Sequence, residues 1–310
     1  MSVLALHAGA TGVTALVVRA DGAVAARGHH DLAQHHPRPG WVEHAPEEIW
    51  RATLGAVREA VEQVDAGELT AVGIANQPET VVLWDRDTLG SPRRAIAASD
   101  RRTADICTGL RDAGHADRVT ELTGLPLDPR FSATKLVWIA ENEPHTWALV
   151  EAERYAVGTV DSYLVARMTR GVEHVTDVSN ASGTLLLDLA SGDWSEELCG
   201  LFGVPRDALP ELVPSWGELA RTDPRTFLDL ELTVAGQAGD QQAAQHGQAP
   251  ADDGDPVPTP ARQAPTGEPT PALETVPPDA AAYGAALLAG LGTGVWGSFD
   301  ELRDLRRRHP

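Results

Sequence analysis

Lysine is almost absent from this chain. Of 25 Lys and Arg residues only Lys135 is a lysine. It lies in Phe131-Ser-Ala-Thr-Lys-Leu-Val-Trp-Ile139, whose apolar spacing is helical and which contains no glycine. A Walker-type phosphate loop, which sets its lysine after a glycine-rich turn, is therefore excluded. No GxGxxG follows a strand-like run, so a dinucleotide fold lacks support. Positive charge as a whole is scarce: 25 basic residues face 45 acidic ones, a formal charge of −20. Nucleic acid and anionic membranes are bound through excess Lys and Arg, so neither is expected as a partner. Cysteine is limited to Cys107 and Cys199, at no metal-ligand spacing, and His35, His36 and His44 also lack a metal pattern and read as a solvated loop. No metal site is expected. Long apolar runs are missing too. The stretch Ala280 to Val295 is broken by glycines and falls short of the roughly 20 residues of a bilayer span, so it reads as a packing helix. With no charged n-region and apolar h-region at its start, the chain is expected in the cytoplasm.

What is present suits a folded enzyme-sized chain: 310 residues, 42% apolar, enough for one large core or two modest ones. Val3 to Leu6, Thr14 to Val18 and Val24 to Gly28 are short apolar or β-branched runs joined by turns, and they predict three opening strands. Pro46 to Val64 repeats apolar residues at Ile49, Leu54, Val57 and Val61 behind Pro-Glu-Glu, which predicts an amphipathic helix. Leu69 to Ala75 and Val81 to Trp84 read as strands; Arg102 to Arg111, Ser132 to Glu141 and Thr159 to Met168 read as helices. Recurrent strands and helices make the class α/β. Residues 249–278 are rich in Pro, Asp, Thr and Ala with almost no large apolar side chain, and read as a linker between a domain at 1–248 and two short helices within 279–310.

Six segments then carry more than composition. In chain order they are Pro39-Gly-Trp-Val-Glu43-His44, Ile74-Ala-Asn-Gln77-Pro-Glu79-Thr80, Asp100-Arg-Arg-Thr-Ala104, Asp128-Pro-Arg130-Phe-Ser-Ala-Thr-Lys135, Val175-Thr-Asp177-Val-Ser-Asn-Ala-Ser182 and Val234-Ala-Gly-Gln-Ala-Gly-Asp240-Gln-Gln-Ala-Ala-Gln-His246-Gly-Gln248. Together they resemble the glycerol kinases of the FGGY carbohydrate-kinase family, almost without a gap from Leu4 to Gln248 and again from Ala280 to Leu305. The resemblance implies a ribonuclease-H-like fold of the actin-like ATPase superfamily, with a mixed sheet and flanking helices. It also implies that the first of two domains is nearly complete, and that the second survives only as the helix that borders the nucleotide pocket. The family's cofactor is Mg-ATP.

Set against the family motifs, the residues here are a mixture of kept and replaced groups. The first hairpin of those kinases carries Asp-x-Gly-Thr-Thr for metal and phosphate, whereas this chain has His7-Ala8-Gly9-Ala10-Thr11. A neutral imidazole is a poor ligand for Mg²⁺, so Gly9 and Thr11 are what is left of a degenerate phosphate loop, and no cofactor is expected to bind well. The bland alternative makes His7 a hydrogen-bonded strand-end histidine. Glu79 matches the acid of an Arg-Glu pair that grips glycerol hydroxyls, but Pro78 stands where the arginine would be; alternatively this is a β-turn with an exposed acid. Ala98 replaces a tryptophan packed on the glycerol carbons. Arg130 replaces a tyrosine that contacts substrate, unless it points to solvent as loop arginines commonly do. Asp240 matches the general base, with Gln241 beside it on the substrate side, although an N-cap would use the same residue. Asp161 and Asp177 read as scaffold carboxylates.

Three functions stay open on this reading. One is a pseudokinase that binds a polyol, another metabolite or a partner, or that has no remaining role. Another is an ATP-independent enzyme using His7 and Asp240 as an acid–base pair on a larger organic molecule. The last is a kinase completed by a separate chain. Pairing of two copies through the C-terminal helices is a further expectation.

Overall fold

The computed structural model describes residues 1–247 and 278–308. Its centre is a six-stranded sheet made from β1 (Ser2–Ala8), β2 (Gly12–Arg19), β3 (Val24–Asp31), β4 (Leu69–Asn76), β5 (Trp216–Arg221) and β6 (Thr233–Gly239). The spatial order is β5-β6-β4-β1-β2-β3. β1, β4 and β6 run parallel to one another, while β1/β2, β2/β3 and β5/β6 are antiparallel. The sheet is thus mixed, as expected. β1 is buried along its whole length, which is why Val3 to Leu6 reads as a continuous apolar run rather than an alternating one. Edge strand β5 was not legible in the sequence, because its half-exposed residues show no alternation.

Helices cover both faces. On one, α1 (Pro46–Val61) starts on Pro46 with Glu47 and Glu48 in its first turn and buries Ile49, Thr53, Ala56, Val57 and Ala60 against β2 and β3. On the other lies α6 (Pro278–Gly292), with α5 (Asp240–Gly247) beside it, across β1, β4 and β6. The approach is close enough to require glycine. A Cβ at Gly73 would fall 2.1 Å from the Ala285 carbonyl oxygen, and one at Gly236 2.6 Å from the Ala289 nitrogen. Tyr283 Oη and Trp296 Nε1 donate to the carbonyls of Gly22 and Ala20, pinning this helical end of the chain to the β2–β3 hairpin.

A second apolar core lies off the sheet, around Leu83, Ile96, Phe131, Leu136, Leu186 and Trp194. It seats α2 (Ser132–Asn142); α3 (Val160–Met168) is buried on the sheet side, and α4 (Val178–Ser182) follows the short strand Val175–Asp177. His44 departs from the solvated loop expected of it. It is fully buried in the two-residue strand Glu43–His44, which pairs with Ala95–Ile96, and burial lowers its pKa. The segment 249–278 lies outside the described residues apart from Pro278. Among the described residues no helix is long and apolar enough to cross a membrane.

Candidate active site

Three neighbouring parallel strands end at one edge of the sheet, and their register brings the expected residues level. His7 and Ala238 both lie opposite Ala75, and Ala8 and Gly239 both lie opposite Asn76. The next residue after β6 is Asp240, which opens α5. His7 and Asp240, 233 positions apart in sequence, consequently face each other, with Nε2 3.9 Å from the carboxylate. Carboxyl ends of parallel strands are where ligands bind in open α/β sheets.

His7 is buried, and among the described residues neither ring nitrogen has a hydrogen-bond partner. It is therefore not the hydrogen-bonded strand-end histidine of the bland reading. Its ring lies over Gly9, where a Cβ would come within 2.8 Å of Cε1. Gly9 closes the hairpin turn by donating to the Gly12 carbonyl, and Thr11 is exposed at the tip.

Past the end of β4, Pro78 is partly exposed and touches the approach to Asp240: a Cβ on Gly239 would lie 3.4 Å from its ring. Glu79 is buried, not an exposed turn acid. Arg130 is buried as well, and its Nε donates to Glu79 Oε1 at 2.9 Å. Burial pushes the Glu79 carboxyl up; Arg130 and Lys135 oppose that, and Asp240 reinforces it. Ala98 is buried next to this group, its N–H bonded to Thr80 Oγ1. Gln241 sits partly exposed in the first turn of α5, and no described contact ties it to Glu79 or Arg130.

A polar network stands behind these groups. Asp177 caps α4 through the N–H groups of Ser179 and Asn180 and accepts from the Ser215 and Ser179 hydroxyls; Ser179 Oγ in turn accepts from the Gly239 N–H, the residue before Asp240. Asp161 accepts from Thr159, Thr176, Gln237 and Asn76, and burial raises its carboxyl to about 6. Both carboxylates act as scaffold. An apolar hollow between Val81, Leu136, Val157, Leu186 and Trp194 touches this network at Thr159 and Thr176 but is lined by none of the expected site residues.

A profile of the FGGY family of carbohydrate kinases, N-terminal domain, matches residues 2–247. The chain belongs to the FGGY family. Its curated relatives include the glycerol kinases of Methylobacterium nodulans, 47% identical over 249 residues, and Rhodopseudomonas palustris, 45% identical; the match takes in 80% of this FGGY chain. It spans about half the length of those relatives, 49% and 50%. Among solved structures, the glycerol kinase of Plasmodium falciparum with ADP superposes with a TM-score of 0.76 at 26% identity, covering 80% of this chain and 50% of that one. A xylulose kinase from Rhodospirillum rubrum, at TM-score 0.72 and 24% identity, again covers 80% and 50% and shows the shared fold. The fold is the ribonuclease-H-like one of the actin-like ATPases.

The family's kinases are ATP-dependent and use Mg²⁺. In this FGGY chain the donors at the ends of β1 and β6 are one imidazole and one carboxylate, a poor match for a cation that takes six oxygens in near-octahedral array. Sequence reasoning passed over Lys135 and Ser179. The first had a signal, as the only lysine among arginines; the second had none, since a serine in a short helix is unremarkable.

Proposed function

We propose that this chain is a polyol-binding FGGY protein in which ATP-dependent phosphorylation of an alcohol is absent or very slow, a pseudokinase of the glycerol-kinase lineage. The observation that carries the polyol half is the Glu79–Arg130 pair. Pro78 cannot supply a guanidinium, but Arg130 supplies one from a loop 51 residues away, its Nε donating to Glu79 Oε1 at 2.9 Å. A carboxylate that accepts beside a guanidinium that donates is a grip for hydroxyl groups. Ala98 in place of a large aromatic ring leaves room for a bulkier ligand than glycerol. The weak-nucleotide half is supported by His7, whose imidazole lies over Gly9 where the family's kinases set an acid for the metal. Titration calorimetry of the purified chain is expected to show glycerol or a larger polyol binding, and Mg-ATP no tighter than millimolar. Micromolar Mg-ATP affinity would overturn the reading.

One observation favours a second reading, an ATP-independent acid–base enzyme. Among the described residues neither buried ring nitrogen of His7 has a hydrogen-bond partner, and Nε2 lies 3.9 Å from the Asp240 carboxylate at the same sheet end. Any turnover found by substrate screening should be abolished by Asp240→Asn and sharply reduced by His7→Ala. Activity retained in both variants would remove this site from consideration.

A further inference from the structure

Lys135 is fully buried on α2, and its Nζ donates to two backbone carbonyls, those of Glu79, at 2.8 Å, and of Arg130. These are the same two residues whose side chains form the ion pair at the site. The ammonium does not bind the carboxylate; it binds the two backbones from which carboxylate and guanidinium extend. Ser132 Oγ, one helical turn earlier, adds a second hydrogen bond to the Glu79 carbonyl at 3.3 Å. An arginine could not take the place: its planar fork points donors at separate acceptors, whereas a tetrahedral nitrogen can aim two N–H bonds at carbonyls that converge on it. This accounts for a lone lysine in a chain whose other long basic side chains are all arginine.

We propose that Lys135 is a positioning residue for the polyol site, tying the loop after β4 to the loop before α2 so that Glu79 and Arg130 meet in the one geometry that grips a pair of neighbouring hydroxyls. The proposal rests on the polyol reading given above. Glu79, Asp100, Arg130 and Arg101 are the charged groups that act on the amine, and burial, the largest influence, pulls it down to about 7.

The single lysine makes the test direct. Feeding lysine labelled with ¹³C at Cε to the expression host gives the full chain one side-chain resonance, with no assignment problem. In the wild type this resonance should titrate well below the ordinary lysine value of about 10.4. Arg130→Gln should raise that midpoint by removing a like charge, and Glu79→Gln should lower it. Glycerol at saturation should shift the signal. Lys135→Met, compared by calorimetry at a temperature where circular dichroism shows it folded, should weaken glycerol binding roughly tenfold to a hundredfold, the effect of a contact displaced by about 1 Å. Should Lys135→Met fail to fold, the wild-type titration and its response to glycerol decide the matter. An ordinary lysine midpoint, a midpoint indifferent to both partner variants, or glycerol affinity unchanged in Lys135→Met would overturn the proposal. Absence of any glycerol binding by the wild type would sink the polyol reading, and the clamp itself would then stand or fall on the Arg130→Gln and Glu79→Gln titrations.

Discussion

Arg130 shows how one residue's meaning turns on where its partner sits. Alone in a loop it would be a solvated cation. Held against Glu79 with both side chains buried, it becomes half of an ion pair whose loss leaves an uncompensated charge inside the protein. Removing one member of such a pair typically costs about 3–5 kcal/mol, whereas replacing both by neutral groups is often close to free. Arg130→Leu should accordingly destabilise the fold by a few kcal/mol, and the double variant Arg130→Leu, Glu79→Gln should recover most of that loss. Urea denaturation of the three chains checks this, and two additive penalties would mean that the pair is not energetically coupled. His7 carries the same lesson in reverse: burial with no hydrogen bond to either ring nitrogen among the described residues is a standing cost that a ligand site at that sheet end would justify.

Among the elements, α6 covers an apolar face of the central sheet. Its residues from Ala281 to Ala289 are almost wholly buried, wedged between the sheet and α5 by small side chains: a Cβ on Gly284 would lie 1.7 Å from the Ala243 carbonyl oxygen. The sheet face beneath, with Val3, Ala5, Leu16, Val18, Ala71 and Ala235, is apolar throughout. Exposing such surface costs about 25 cal/mol per Å². A chain lacking residues 279–310 should therefore bind hydrophobic dyes, lose stability or self-associate, as seen by dye fluorescence and light scattering. A monomer of unchanged stability would show that α6 is dispensable. Pairing of two intact copies through these helices is read out by the same light-scattering measurement.

At the scale of the whole molecule, stability against pH collects opposed contributions. Asp161, raised to about 6 by burial, binds a proton more readily folded than unfolded, so its contribution to stability falls as pH rises from about 3.9 to 6. His174 lies against Trp84 and Arg86, and burial drops it to about 4. Its folded state holds fewer protons than the unfolded one, so stability rises over an overlapping window, up to about pH 6.5. The two offset in the wild type. Asp161→Asn removes the first alone, so its stability should climb more steeply between pH 4 and 6.5 than that of the wild type, in parallel denaturant titrations. Equal slopes would mean that Asp161 stays ionised throughout. Lys135, held near 7, adds a rise between about pH 7 and 10.4 by the same sign argument as His174.

The sequence by itself determined what depends on near neighbours. β1, β2, β3, α1 and α2 are local matters of apolar spacing and caps, and the order of motifs from Pro39 to Gln248 was enough to place the chain in its family. Glu79, Arg130, Asp240 and His7 were legible as candidates for the same reason. Only the tertiary structure decided which of them meet. His7 reaches Asp240 because β1 and β6 flank β4 in matched register; Arg130 is buried, not solvated, because it pairs with Glu79 just past the end of that strand; Lys135 becomes a clamp because two loops converge on it. Apart from the bond between Lys135 and Arg130, five residues apart, each contact joins segments 50 or more residues apart, and nothing in local periodicity encodes which distant backbone will lie across from a given side chain.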